Sequence, residues 1–598
     1  MSTDFRPLEI PPGVVAKPTK NQRSSNWAEV NLMRWVEGQM APVGGQAQYN
    51  YQFASRCKAI HGWYSLDAIY YIAYLCEANL YVEVGGELID ISPIPPLVAP
   101  PPIAEGGYGG GYYSAGDYGV PTTDPSIVPI DALPSAWSLD NFGQILLAMT
   151  SPDGRLLQWD PSAGAPGLVA SIAAYTPWGT TQATIQMLEL NPGSITTGMP
   201  VYNQTTGLPV GTVATYPTSA DPTLTLTANA QNPGSANDML GFGNIATKAA
   251  GAPLGRCFVV TPERFVQMFG TTEDGTSGGG SFRRFGWCDQ ENFNSWNYSD
   301  VTSQAGFLDI EPASPIVTAH STRNGTIFFT GKKAYVVQFL GLPYIYNYVE
   351  LADNCTPWSP CSITSTSSMS LWMSQQGVFS FDGTSILPVQ CMVRPWVDDD
   401  IDLLNVREQA TAVHIAGFNE FWWFYPQGEA TNASGAGYNT RCIIYNYKEG
   451  WWSQGQMSRS AGITSSYTAQ PILADGLVAF EHELGVVYGN ADLPWAETYD
   501  LNINSGSKLT TVKQMIPDIG GAVSSLLYSL FYSNSRSLSA GQPVTEIQSP
   551  PRPVRSDGYV DFRTTGRDIR LLIAIAGPSV LPVTVGQHLI DAVPRGDR

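Results

Sequence analysis

Along most of the chain, apolar and aromatic residues come in short runs set apart by Gly, Asp, Asn and Pro. In KAIHGWYSLDAIYYIAYLCEANLYVEVGGELIDISP, runs at 58–64, 68–75, 79–83 and 87–91 are joined by two- to four-residue connections. Connections that short force neighbouring strands to run antiparallel, so the stretch predicts a four-stranded meander. The rhythm returns in AWSLDNFGQILLAMTSPDGRLLQWD (136–160), in RCFVVTPERFVQMFG (256–270) leading into SFRRFGWCDQENFNSWNYS (281–299), and in GTIFFTGKKAYVVQFLG (325–341). It recurs in SLWMSQQGVFSFDGTSILPV (370–389), in NEFWWFYPQ with TRCIIYNYKEGWWSQ (419–454), and in PILADGLVAFEHELGVVYGN (471–490). These make about seven candidate units.

A small meander cannot bury both of its faces alone, and a closed ring of radial sheets removes most exposed edges. The expected fold is therefore all-β, with a β-propeller core of six to eight irregular blades; a row of separate sandwiches is the competing arrangement. Two stretches break the rhythm. Residues 91–125 are Pro-rich and then Gly/Tyr-rich, and read as a polyproline-like run entering a loop. Residues 178–247 alternate strands and turns almost without aromatics, and read as an inserted small β-barrel or sandwich. The expected organisation is an N-terminal segment 1–50 packing on a platform, first blades in 51–177, the insert in 178–247, further blades in 248–495, and a terminal β-sandwich platform in 496–598.

Composition sharpens this picture. Only 14% of the 598 residues are charged while 11% are aromatic, which argues against charged helical faces. The net charge of −20 is uneven: Lys/Arg against Asp/Glu stand at five to four in 1–50, seven to five in 549–598, and 19 to 42 between them. An acidic body repels phosphate, the reverse of what tight DNA binding needs. The start, MSTDFRPLEIPPG, lacks a basic stretch followed by an apolar one, and predicts neither a secretory signal nor a membrane span. Eight scattered cysteines (Cys57, Cys76, Cys257, Cys288, Cys355, Cys361, Cys391, Cys442) predict free thiols in a reducing compartment.

Candidate chemistry is thin. Gly275 to Gly279 match the G-x-S-x-G string without the strand and helix a nucleophile elbow needs. SPDGRLLQW is similar to the Asp-box turn of sialidases, but Asp153 and Gly154 are adjacent where that motif wants a spacer. Five histidines lie far apart, with no metal spacing, and Cys355 and Cys361 lack a second ligand pair; no metal or cofactor is expected. Asp398, Asp399, Asp400 and Asp402 form the dense acidic run, expected in a solvated turn or a lumen wall. Cys288 has no nearby base to make a thiolate, and Trp287, Phe293 and Trp296 around it predict packing at a blade seam. Tyr108, Tyr112, Tyr113 and Tyr118 in a glycine-rich loop suggest a contact or constriction segment.

The phrase GWCDQENFNSW resembles an element of the tail nozzle, or tail tubular, proteins of short-tailed bacteriophages, in which serine usually stands where Cys288 does. NLMRWVEGQMAPVGGQ, QQGVFSFDGTSILPV, GMPVYNQTTGLPVGTV, RTTGRDIRLL and VGQHLIDAVPRGDR agree with it, and together they span most of the chain. The resemblance implies a structural, non-enzymatic virion protein, made in the host bacterial cytoplasm and built into the tail as a hexameric ring. Its implied partners are the portal-adaptor or head-tail connector, a tail fibre or tailspike, and a tip plug or needle protein. Double-stranded DNA would pass through an electronegative lumen without tight binding. The alternatives are a propeller glycosidase or depolymerase acting on host surface polysaccharide, and a fibre-binding scaffold.

Overall fold

The computed structural model describes the chain apart from residues 1–4, 17–24, 101–132, 190–192, 217–222, 272–281, 301, 312–313, 404, 429–437, 465–469, 486–492, 502, 504–508, 534–545, 578–581 and 597–598. Among the described residues, seven four-stranded antiparallel sheets follow one another around a ring. The innermost strands are Cys57–Tyr64, Trp137–Phe142, Cys257–Val260, Ile316–Thr322, Ile363–Ser365, Thr411–Ile415 and Ala461–Ile463. Each lies beside the next, and the last lies beside the first, so the ring is closed. The chain is a β-propeller, and the strands of each blade are the short apolar runs of the sequence.

Blade 1 consists of Cys57–Tyr64, Tyr70–Cys76, Leu80–Val84 and Glu87–Asp90, in the order in which they follow along the chain. Blades 3 to 6 repeat this meander, and two blades depart from it. Blade 2 takes its fourth strand, Thr247–Lys248, from beyond the insert. Blade 7 takes its outermost strand, Gln46–Gln52, from the N-terminal part of the chain, paired antiparallel to Val478–His482. Residues expected to pack on the platform thus close the ring instead.

The insert begins earlier than residue 178. Gly167–Ala173 pairs with Met239–Asn244, and the six-stranded sheet they belong to packs its own core of Ile172, Val201, Val213, Leu224, Leu240 and Phe242. The platform is shared by both ends of the chain. Phe5–Pro7 pairs with Leu589–Gly596, Gln39–Pro42 with Val583–Val585, and Trp27–Asn31 with Trp495–Thr498, which pairs in turn with Asp568–Ile575.

Platform and propeller meet around a buried cation. Arg34, on platform strand Met33–Val36, is 2% exposed; its Nε lies 3.3 Å from Glu420 Oε1 of blade 6, and its Nη2 donates to Glu483 just after blade 7. The guanidinium also stacks 3.8 Å from the Phe418 ring centroid. Burial pushes the Glu420 carboxyl up, and Arg34 pulls it back toward the ionised form. Removing one partner of such a group leaves uncompensated buried charge, which costs about 3–5 kcal/mol. Arg34→Ala is therefore expected to lower the unfolding free energy by about 3–5 kcal/mol, read by urea denaturation. A loss below about 1 kcal/mol would mean that the two carboxylates relax into water, contrary to the burial argued from Glu420.

Candidate functional site

The inner strands of the seven blades face one another around the axis of the ring. Where those strands start, hydrogen bonds of side chains and backbone join neighbouring blades. Ser460 Oγ donates to the Cys57 carbonyl (2.7 Å), and Lys58 Nζ donates to Gln409 Oε1 (2.9 Å). The Ser135 N–H is shared between both Glu408 carboxylate oxygens at 3.0 Å, and Arg256 Nη2 donates to the Pro134 carbonyl (2.6 Å). Thr318 Oγ1 reaches the Pro360 carbonyl (3.4 Å), and the Ala412 N–H donates to the Cys361 carbonyl (2.8 Å). Glu408 and Gln409 come from the short helix Val406–Gln409, which these bonds tie to blade 1 and to the start of blade 2.

A cavity of about 270 Å³ lies among the inner strands, lined among others by Lys58, Asp140, Thr318, His320, Cys361 and Thr411. A B-DNA major groove alone is about 12 Å wide, so this cavity has room for a small molecule and none for a duplex. Burial dominates its electrostatics. The Lys58 ammonium is pulled down by desolvation and by neighbouring Arg56, against the pull of Glu77, which lies 3.5 Å away. Burial pushes the Cys361 thiol up to about 11 and the His320 imidazole down to about 4. The Asp140 carboxyl is raised by burial, opposed by the nearby His61 and by the Asn141 N–H that it accepts at 2.8 Å. His61 Nε2 in turn lies 2.9 Å from Asn141 Oδ1.

Asp140 is the one carboxylate among the described residues lining this cavity. A carboxyl raised by desolvation beside an imidazole is better placed to hold a proton than an exposed one. These residues were not singled out from the sequence, since they stand on inner strands about 80 positions apart. The available signal was the phrase SLDNFG, which puts Asp140 and Asn141 at the end of the first strand of a blade.

The acidic run stands elsewhere, and its surroundings correct the turn expected for it. Asp398 and Asp400 lie in the helix Arg394–Asp400, whose Val397 packs in the core shared with the platform. Pro395 opens the helix, and Arg394 pairs with Asp398 one turn on at 2.5 Å, both of which favour helix over turn. Asp399 lies between them on the same helix; Asp400 pairs with Arg441 at 3.0 Å, and Asp402 accepts the Asn405 N–H at 3.1 Å. None of the four lines the propeller cavity. Tyr108, Tyr112, Tyr113, Tyr118 and the G-x-S-x-G string fall outside the described residues.

Trp287, Phe293 and Trp296 are buried in one cluster. Phe293 meets Phe142 of blade 2 edge-on at 5.2 Å, and Trp287 meets Tyr346 of blade 4 at 5.4 Å, so the rings around Cys288 span two seams. The Cys288 sulfur accepts the Val266 N–H at 3.1 Å, and burial pushes its thiol up to about 12. Away from the cavity, the hairpin Lys333–Gly341 and Ile345–Asp353 ends in Phe339, Leu340, Leu342 and Tyr344, all exposed, with no charged residue from 338 to 348.

No protein-family model matches the chain, and no curated protein matches it. Among solved structures it is similar to an exo-beta-1,3-galactanase from Phanerochaete chrysosporium, at 9% identity over 77% of this chain and 96% of that one, with a TM-score of 0.16. It is similar to a sialidase from Trypanosoma rangeli, at 8% identity over 92% and 96%, with a TM-score of 0.23. A glycoside hydrolase family 43 arabinoxylan arabinofuranohydrolase from Bacillus subtilis stands at 8% identity over 92% and 96%, with a TM-score of 0.18. The likeness is one of β-propeller architecture. Against the expectation of a non-enzymatic protein, the three structures it is similar to are glycoside hydrolases.

Cys288 yields a direct test. With its thiol held up near 12 and its sulfur engaged by a backbone N–H, it is expected to resist iodoacetamide at pH 8 in the native protein and to be alkylated after denaturation. Mass-spectrometric peptide mapping reads the difference. Rapid native alkylation at Cys288 would mean an activated thiol.

Proposed function

We propose that this chain is the nozzle subunit of a short-tailed bacteriophage tail, assembling as a ring, expected to be hexameric, that retains packaged DNA and passes it during ejection. The observation that carries the reading is the meeting of the chain's two ends. NLMRWVEGQMAPVGGQ supplies platform strands Met33–Val36 and Gln39–Pro42, and RTTGRDIRLL and VGQHLIDAVPRGDR supply platform strands Val560–Gly566, Asp568–Ile575 and Leu589–Gly596. Phrases far apart in sequence, which together carry the resemblance, thus belong to one platform, while GWCDQENFNSW and QQGVFSFDGTSILPV belong to blades 3 and 5.

Two further observations support a ring. The cavity among the inner strands holds about 270 Å³, with no room for a duplex, so under this reading the conduit runs between subunits. The apolar tip of the blade 4 hairpin, with Leu342 76% and Tyr344 75% exposed, is the kind of surface that assembling subunits cover. A net charge of −20 suits a lumen along which DNA slides without sticking. The portal-adaptor, a tail fibre or tailspike, and a tip plug or needle protein are the partners this role requires. Electron microscopy of the purified protein beside intact virions tests the reading. The expected result is a ring, with a lumen wider than a duplex, matching the distal end of the tail. A monomer at all concentrations that is absent from virions would overturn it.

A second reading, a glycosidase acting on host surface polysaccharide, rests on Asp140 as the acid, with the second carboxyl such hydrolysis ordinarily uses coming from outside the described lining of the cavity. Under it, the wild-type protein releases reducing ends from host polysaccharide, and Asp140→Asn lowers that rate about 100-fold or more. Equal turnover by the two proteins, or none by the wild type, would reject it.

A further inference from the structure

Cys57 and Cys76 sit directly opposite one another on the first two strands of blade 1. Both are fully buried. The Cys57 N–H donates to the Gly476 carbonyl at 2.9 Å, and the Cys76 N–H to the Asn79 carbonyl at 2.8 Å, so the two residues do not exchange backbone hydrogen bonds with each other. The register shifts by a bulge between Cys57 and Ala59, and the Cys57 thiol lies 3.6 Å from the Ala59 carbonyl. Directly opposed residues of a non-hydrogen-bonded antiparallel pair stand about 4.5 Å apart at Cα, within the separation of about 4.4–6.8 Å that a disulfide spans. Burial pushes the Cys76 thiol up, and the neighbouring Cys57 adds to the shift. Cys355 and Cys361, the pair closest in sequence, pack in different clusters and have no such register.

We propose that Cys57 and Cys76 are a built cross-strand disulfide site, oxidised by a small-molecule disulfide such as oxidised glutathione. One thiolate attacks the glutathione S–S bond, forming a mixed disulfide and releasing one reduced glutathione. The second thiol, on losing its proton, attacks the protein sulfur of that mixed disulfide and releases the second glutathione. Two protein thiols lose two electrons and two protons, and one glutathione disulfide is reduced to two thiols by them.

The position gives the bond a consequence. The Cys57 carbonyl accepts Ser460 Oγ of blade 7, and its N–H binds Gly476 in the turn of the same blade. A Cys57–Cys76 bond therefore reinforces blade 1 where the ring closes on blade 7. Burial makes the reaction slow in the native fold, because thiolate forms only when the strand ends open.

Full-length protein incubated at pH 8 with oxidised glutathione, quenched with acid and mapped as non-reduced peptides provides the test. The expected product is a Cys57–Cys76 linked peptide, two hydrogens lighter than the free pair, with no glutathione retained on either and a raised thermal midpoint that reductant reverses. Cys57→Ser and Cys76→Ser are each expected to abolish the linked peptide and to leave glutathione on the remaining cysteine. The wild-type map stands by itself if either variant fails to fold. Two free thiols after oxidation at a temperature where the ring breathes, or glutathione retained on both, would overturn the proposal.

Discussion

Closure of the ring is the constraint on which the rest of the molecule depends. Each blade carries apolar side chains on both faces, as with Phe269 and Phe285 of blade 3 stacking near Phe328 of blade 4. Neither face has a partner unless a neighbouring blade stands on each side, and only a ring gives every blade two neighbours. Closure is made by backbone pairing between residues more than 400 positions apart, His482 with Gln46 and Glu481 with Ala47. The strand Gln46–Gln52 contributes its own aromatic surface, with Tyr51 meeting Tyr74 of blade 1 through paired hydroxyls 2.8 Å apart. The seam is thus zipped by the sheet on one side and by side chains on the other.

The same closure delivers the platform. Once Gln46–Gln52 is fixed on blade 7, the preceding residues are held close to blades 6 and 7, where Arg34 meets Glu420 and Glu483. A buried ion group is a poor source of net stability, because desolvating three charges offsets most of their attraction. Its effect is better described as selection of geometry: a platform docked in another orientation leaves charges buried without partners. The C-terminal strands pair with the N-terminal ones, so the platform and the closed ring share the N-terminal part of the chain. Backbone contacts that distant in sequence also imply slow folding.

The blades were legible in the sequence because a meander is a local object. Short apolar runs and tight turns state their own pairing, and the four runs of 58–91 became the four strands of blade 1. What was not legible is every pairing that skips along the chain. Thr247–Lys248 completes blade 2 from beyond an insert, Gln46–Gln52 completes blade 7, and Gly167–Ala173, inside the stretch 51–177 expected to hold only the first blades, pairs with Met239–Asn244 of the insert. The candidate site failed to appear for the same reason. Asp140 and His320 are unremarkable on their own strands and acquire meaning only when the ring brings them to one cavity, with His61 acting on Asp140 from the neighbouring blade. The acidic run attracted notice because its residues are adjacent, yet adjacency on a helix spreads them: Asp398 reaches back to Arg394, and Asp400 across to Arg441 of blade 6.

Hydrogen bonds from Lys58 to Gln409 and from the Ser135 N–H to Glu408 tie the short helix Val406–Gln409 to blade 1 and to the start of blade 2, and the cavity beside Lys58 holds about 270 Å³. A space that small takes a small molecule beside Asp140 and not a duplex. The exposed apolar tip of the blade 4 hairpin, with Leu342 and Tyr344, is made of other residues. A change such as Asp140→Asn therefore leaves that outer surface as it is, so the two readings of function are separable on variants of one chain.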